Sequence, residues 1–246
     1  KGKFNTAIGF EALVAEDVGD RSTAIGYKAL YSQNSDSDNE TAGNTAVGMF
    51  TGHYNVTGQN NTYLGYNAGY GASGQSHSNN TAVGKDALLS ITDGIGNIVV
   101  GGGAGDAITS ADYNTFIGYY AGSTTVDADR CVAIGNSAME AGNATVDGSV
   151  AIGDSALANL TSGAGNVAVG YQSGTTHTTT GLNTLLGYRA GRYSVGTNNV
   201  YVGHTSGEGT SSGTYTGANN VGVGYQTLAA LTTGDDNIAI GSEALD

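Results

Sequence analysis

The stretch NTFIGYYAG, residues 114–122, is one copy of a motif that recurs along the whole chain. Eight of the thirteen intervals between copies are 17 residues long, and the longest is 22 residues. A short period repeated this often is typical of solenoid proteins. The sequence therefore predicts one repeat domain over residues 1–246. Each copy closes on a glycine, and the fourteen closing glycines are Gly9, Gly26, Gly48, Gly65, Gly84, Gly101, Gly118, Gly135, Gly153, Gly170, Gly187, Gly203, Gly224 and Gly241.

The three residues before each closing glycine have the character of a short strand. The first is β-branched in every copy, and the third is always Ile, Val or Leu. Residues two apart in a strand share a face, so these two columns predict one apolar stripe along stacked strands. The predicted fold class is therefore all-β, a parallel β-solenoid (β-roll) of about fourteen coils of 17 residues.

The middle residue of the predicted strand is also mostly apolar, usually Ala. One face of such a strand lines the interior of the roll, and the other needs a cover. A second or third copy of the chain is the simplest cover. We therefore expect a homo-oligomer in which the middle column, Ala151 for example, faces the partner.

The glycine and asparagine columns predict backbone roles. An invariant closing glycine indicates either a positive φ or a neighbouring backbone too close for a Cβ. The residue four before it is Asn in eleven of fourteen copies, which predicts a ladder of stacked side-chain amides. The third residue after the glycine is always small and the fourth is Gly or a larger apolar residue, so this segment is also expected to turn inward.

Charge and composition exclude several partners. The chain has 8 Lys plus Arg against 21 Asp plus Glu, a net charge of −13, which repels the phosphates of nucleic acids and anionic membrane surfaces. No run of 18 apolar residues is present, so no membrane insertion is expected in this segment.

The most polar cluster lies in residues 35–40, between two copies of the motif. Asp36, Asp38 and Glu40 alternate along it, and their oxygens suit a Ca²⁺ ion. The alternative is a solvated acidic insertion, because the spacing of an EF-hand loop is absent. No other cofactor is expected.

No catalytic residues are predicted. The four histidines lack zinc-site spacing and are expected at the surface. The glycine-rich run of residues 101–105 lacks the Lys-Ser/Thr of a phosphate-binding loop and is interpreted as one more coil.

Two further features offer binding surfaces. The Thr-rich residues 175–180 suit an ice or sugar lattice, but they occupy one coil only. Aromatic residues recur directly after the closing glycine, where they stack either on glycans or on one another. They are Phe10, Tyr27, Tyr66, Tyr119, Tyr171, Tyr188 and Tyr225.

The motif Asn-Thr-Ala-Ile/Val-Gly-Tyr-x-Ala, as in residues 5–12 and 44–51, resembles the head repeats of trimeric autotransporter adhesins. It also resembles repeats of bacteriophage tail-fibre proteins. The resemblance implies a left-handed roll, a homotrimer, a cell-surface or virion location and no catalysis. The coils here are longer than those of the adhesin heads, and no neck, stalk or anchor is visible.

These observations predict a non-enzymatic, extracellular structural or adhesive fibre segment that forms a stiff rod and presents surface contacts. The chain ends lack capping motifs, which favours a segment of a longer fibre protein or end-to-end stacking of subunits. A surface glycan or protein is the expected ligand. The alternatives are a self-polymerising matrix filament and a carbohydrate-processing tailspike, which would need a cleft with two carboxylates.

Overall fold

The computed structural model describes residues 2–37, 40–141, 146–210 and 215–246. It contains fourteen parallel strands of three residues each, and no helix occurs among the described residues. The predicted all-β parallel solenoid is confirmed, with about thirteen turns. The strands are β1 (Thr6–Ile8), β2 (Thr23–Ile25), β3 (Thr45–Val47), β4 (Thr62–Leu64), β5 (Thr81–Val83), β6 (Ile98–Val100), β7 (Thr115–Ile117), β8 (Val132–Ile134), β9 (Val150–Ile152), β10 (Val167–Val169), β11 (Thr184–Leu186), β12 (Val200–Val202), β13 (Val221–Val223) and β14 (Ile238–Ile240).

The chain divides into two compact units, Lys1–Tyr120 with β1 to β7 and Ala121–Asp246 with β8 to β14. Within each unit, every strand pairs in parallel with its neighbours in sequence. Thr45 lies beside Thr62 in unit 1, and Val150 lies beside Val167 in unit 2. Residues at the same position of successive motif copies therefore lie side by side in the structure.

The middle residue of each strand points into the roll from β2 to β14. Ala151 is fully buried, so the prediction that this column faces a partner was wrong. The pleat directs the middle residue towards the segment after the closing glycine, which folds over the same side. A Cβ on Gly69, the fourth residue after its closing glycine, would lie 2.5 Å from the Tyr63 ring in the middle column.

The core is filled by complementary sizes at these two inward positions. Where the middle residue is large, as at Tyr63 or Phe116, the fourth residue after the closing glycine of the same copy is glycine. Where the middle residue is Ala82, the partner position holds the buried Leu88. Where both positions are small, as at Ala46 and Gly52, Leu30 and Tyr63 of the adjacent coils fill the space, because protein interiors are close-packed.

Both expected roles of the closing glycine are present. Its φ lies between 121° and 143° in all fourteen copies, a region that side chains rarely adopt. A Cβ on Gly101 would lie 2.1 Å from the carbonyl oxygen of Gly118, and one on Gly170 would lie 2.3 Å from that of Gly187. The coils therefore stack too closely at this corner for any side chain.

The predicted asparagine ladder is present inside the roll. Asn61 Nδ2 donates to Asn44 Oδ1 at 2.9 Å, and the Asn80 backbone N–H donates to Asn61 Oδ1 at 2.9 Å. Asn61 Nδ2 also donates to the His77 carbonyl at 2.7 Å. Each such amide thus joins two coils and also holds the loop that completes its own turn.

Candidate functional site

The outward side of the strands forms a continuous uncharged surface of branched side chains in each unit, which we call the strand face. None of its residues is buried, and none is charged. Leu64 and Ile98 are 47% and 46% exposed, although both are large and branched. The strand face consists of Thr6, Ile8, Thr23, Ile25, Thr45, Val47, Thr62, Leu64, Thr81, Val83, Ile98, Val100, Thr115 and Ile117 in unit 1, and of Val132, Ile134, Val150, Ile152, Val167, Val169, Thr184, Leu186, Val200, Val202, Val221, Val223, Ile238 and Ile240 in unit 2.

A column of aromatic rings borders the strand face after the closing glycines. In unit 2 the rings of Tyr171 and Tyr188 stack with centroids 5.3 Å apart, and Tyr188 stacks on His204 at 4.9 Å. In unit 1, Phe10 stacks on Tyr27 at 5.5 Å. Neighbouring rings therefore cover one another's faces here and leave their edges exposed, which favours the interpretation that rings stack on rings over stacking on glycans.

The residues of the calcium prediction are only partly described. Glu40 accepts a hydrogen bond from the Asp36 backbone N–H at 3.0 Å through one oxygen, and from the Gln59 amide through the other. Asp38 lies outside the described residues. Within the described part of the chain, no group of three or more His, Cys, Asp or Glu side chains is arranged to hold a metal. Calcium at this loop stays a prediction.

Three of the four histidines were wrongly expected at the surface. His53 is buried beside stacked tyrosine rings, and His77 and His177 lie in the interior. His77 Nδ1 lies 2.6 Å from the Tyr63 hydroxyl. His177 Nε2 lies 3.2 Å from the Gly191 carbonyl oxygen. Burial lowers the pKa of each of His77 and His177 to about 4, so both are neutral at pH 7.

One open pocket of about 150 Å³ lies on unit 1, where Asp86 and Asp106 meet Tyr119 and Tyr120. Two carboxylates in a pocket are the feature that a carbohydrate-processing enzyme would need. However, Asp86 accepts from Asn67 Nδ2 at 2.9 Å with one oxygen and pairs with Lys85 Nζ through the other. Both oxygens of Asp86 are therefore engaged by neighbouring side chains.

Comparison of the chain with known protein families and with curated proteins gives no match. The resemblance to adhesin and tail-fibre repeats therefore rests on the motif itself. Among the residues that the structure describes, no helix has the length and apolar character needed to cross a bilayer.

Proposed function

We propose that this chain is a non-enzymatic structural segment of an extracellular fibre, and that copies associate through the strand face. The observation that carries the proposal is the uncovered strand face itself, with its branched, mostly aliphatic side chains and no charge. The largest exposed apolar patch of a soluble monomer, typically about 300–600 Å², is often a functional contact surface.

A second copy of the same chain is the occupant that fits the strand face best. Its columns repeat with the same rung spacing, so one copy matches another rung by rung. The net charge of −13 repels copies over the rest of the surface and leaves the uncharged strand face as the favourable contact.

The size of the strand face also bears on how copies associate. Seven strands at about 4.8 Å, each about 10 Å long, offer roughly 300 Å² per unit. Stable interfaces bury about 800 Å² per partner. A stable contact therefore needs more area than the strand face of one unit supplies. A homotrimer in which each copy contacts two others follows the adhesin resemblance, and cell-surface or virion location is part of the same proposal.

The test is the mass of the protein in solution and its response to charge on the strand face. Val169→Asp combined with Val223→Asp places two carboxylates on the unit 2 strand face, where burial of unpaired charge would weaken association at least a hundredfold. Sedimentation equilibrium measures the dissociation constant. The matched control is Thr179→Asp with Thr197→Asp, which adds the same charge at exposed loop positions.

We expect an oligomer for the native chain and for the loop control, and a monomer for the strand-face variant. Unchanged circular dichroism of the variant separates loss of association from loss of fold. A monomeric native chain, or a strand-face variant that keeps the oligomeric mass, would overturn the proposal.

A further inference from the structure

The pocket on unit 1 arises where the aromatic column is interrupted. Gly102 occupies the position after its closing glycine, and the flanking coils carry Lys85 and Tyr119 there. The pocket is lined by these residues together with Asp86 and Asp106. It is therefore the space that a side chain at residue 102 would occupy.

The backbone does not require glycine at residue 102. Its φ lies outside the left-handed region, and a Cβ there would lie 3.5 Å from Tyr119 Cδ2 and 4.0 Å from the Lys85 carbonyl oxygen, which are ordinary contacts. Gly103 differs, because its φ is 63° and a Cβ would lie 2.5 Å from the Tyr120 ring. Glycine at 102 thus leaves a gap without serving the fold.

The gap uncovers the Tyr119 ring, which is 58% exposed. Tyr27 and Tyr188, which stack on neighbouring rings of the same column, are each 41% exposed. On the Gly102 side of Tyr119 there is no side chain to stack against, since a Cβ would be the first atom to meet the ring. The Tyr119 ring packs against the Tyr120 ring, with centroids 4.2 Å apart, and its side towards Gly102 is open at the mouth of the pocket.

The polar side chains around the Tyr119 ring are the charged residues Lys85, Asp86 and Asp106. Lys85 Nζ pairs with Asp86, and the Lys85 side chain is 70% exposed. Burial raises the pKa of Asp106, the backbone N–H groups of Asp106 and Ala107 oppose this rise, and the charge of Asp86 adds to it. One lysine and two aspartates give the pocket a net charge of −1 when all are ionised.

We propose that this pocket binds a single pyranose ring of a neutral or amino sugar. The C–H face of the sugar stacks on Tyr119, as apolar faces do on aromatic rings. Its hydroxyl groups donate to the Asp106 carboxylate and accept from Lys85 Nζ. The volume of about 150 Å³ is below that of sites for larger ligands, so one ring is accommodated. The net negative charge disfavours acidic sugars.

The proposal does not depend on self-association. The pocket uses residues that follow the closing glycines, whereas the strand face uses residues that precede them. A variant that fills the pocket should leave the solution mass unchanged. Failure of sugar binding and failure of the oligomer are thus seen in separate measurements.

Saturation-transfer NMR with methyl glucoside, methyl galactoside, N-acetylglucosamine and glucosamine tests the proposal, with glucuronate as the acidic comparison. Gly102→Tyr fills the gap with a residue that other coils carry in this column, and Tyr119→Ala removes the stacking surface. The control Tyr27→Ala removes a ring of the same column outside the pocket.

We expect transfer to at least one neutral or amino sugar, with millimolar affinity that Gly102→Tyr and Tyr119→Ala each weaken at least tenfold. Tyr27→Ala should bind as the native chain does. The proposal is overturned if no neutral or amino sugar shows transfer, if glucuronate binds best, or if Tyr119→Ala and a folded Gly102→Tyr both bind normally.

Discussion

The two units share one backbone plan but differ in the first column of the strand face. In unit 1 this column is Thr in six of seven strands, with Ile98 as the exception. In unit 2 it is Val or Ile in six of seven, with Thr184 as the exception. The strand requires a β-branched residue at this position, and Thr and Val meet that requirement equally. The choice between Thr and Val in this column therefore reflects what the surface contacts and is not a requirement of the fold.

A buried hydroxyl without a partner is costly, whereas a methyl group in the same place is favourable. Unit 2 therefore offers the stronger association surface for each strand, and unit 1 tolerates water better. If the backbone plan and the composition of the strand face are independent, substitutions at the closing glycines should have the same effect in both units. Substitutions on the strand face should then have different effects in the two units.

The largest expected effect is on the closing glycines. Gly48→Ala in unit 1 keeps a positive φ of 134° and places a Cβ 2.7 Å from the carbonyl oxygen of Gly65. Gly170→Ala in unit 2 keeps a positive φ of 138° and places a Cβ 2.3 Å from the carbonyl oxygen of Gly187. We expect each to lower the free energy of unfolding by about 3 kcal/mol or more. Urea-induced loss of the β-sheet circular dichroism signal measures the change.

The matched control is Gly241→Ala, where φ is also positive but no atom lies within 4 Å of a Cβ. It should cost about 1 kcal/mol, the strain of the backbone alone. An equal loss in all three variants would show that φ, and not the close approach of coils, determines the glycine. A large difference between Gly48→Ala and Gly170→Ala would show that the two units do not share one backbone plan.

The buried histidines should make both units sensitive to acid. His77 in unit 1 and His177 in unit 2 have folded-state pKa values of about 4 against 6.5 in the unfolded chain. A lowered pKa means that the unfolded chain binds the proton first, so stability is lost as pH falls from about 6.5 towards 4. The loss reaches up to about 3 kcal/mol for each histidine.

His177→Gln is the sharpest test of this pH dependence. The chain itself carries Gln33, fully buried, at the equivalent position seven residues after a closing glycine. The urea midpoint of the variant should fall less between pH 7 and pH 5 than that of the native chain. An unchanged slope in both His177→Gln and His77→Gln would reject the assignment of the acid sensitivity to these two side chains.

Much of the fold could be predicted from the sequence because each position of the motif occurs in fourteen copies. The strand positions, the closing glycines and the asparagine ladder all follow from columns that vary little. The orientation of the strand was predicted wrongly, because the column of Ile, Val and Leu has the composition of a core. The pairing of Tyr63 with Gly69, and of Ala82 with Leu88, is visible in the sequence and would have identified the middle column as the interior.

Other features depend on conformations that composition does not reveal. Lys28 and Leu30 adopt φ values of 54° and 49°, although both residue types usually favour the right-handed region. Each left-handed residue costs about 1–2 kcal/mol. Full burial of Leu30 contributes about the same amount in return. The pocket was missed because it is defined by a side chain that is absent at Gly102, and the glycine-rich run was interpreted only as another coil.

The smallest expected effect comes from exchanging Thr and Val between the two units in the first column of the strand face. Thr62→Val with Thr81→Val gives unit 1 the column of unit 2, and Val167→Thr with Val200→Thr does the reverse. Val and Thr are both β-branched and nearly equal in size, so the strands should be unaffected. If both units lie in the contact between copies, each exchange should change the free energy of association by about 1 kcal/mol per site.

Sedimentation equilibrium should therefore show tighter association for the unit 1 exchange and weaker association for the unit 2 exchange, by about thirtyfold for two sites. A response to the unit 2 exchange alone would confine the contact to the aliphatic half, and the threonine column would then face water. A response to neither would place the contact between copies elsewhere. In that case the strand face could not be the surface that builds the fibre.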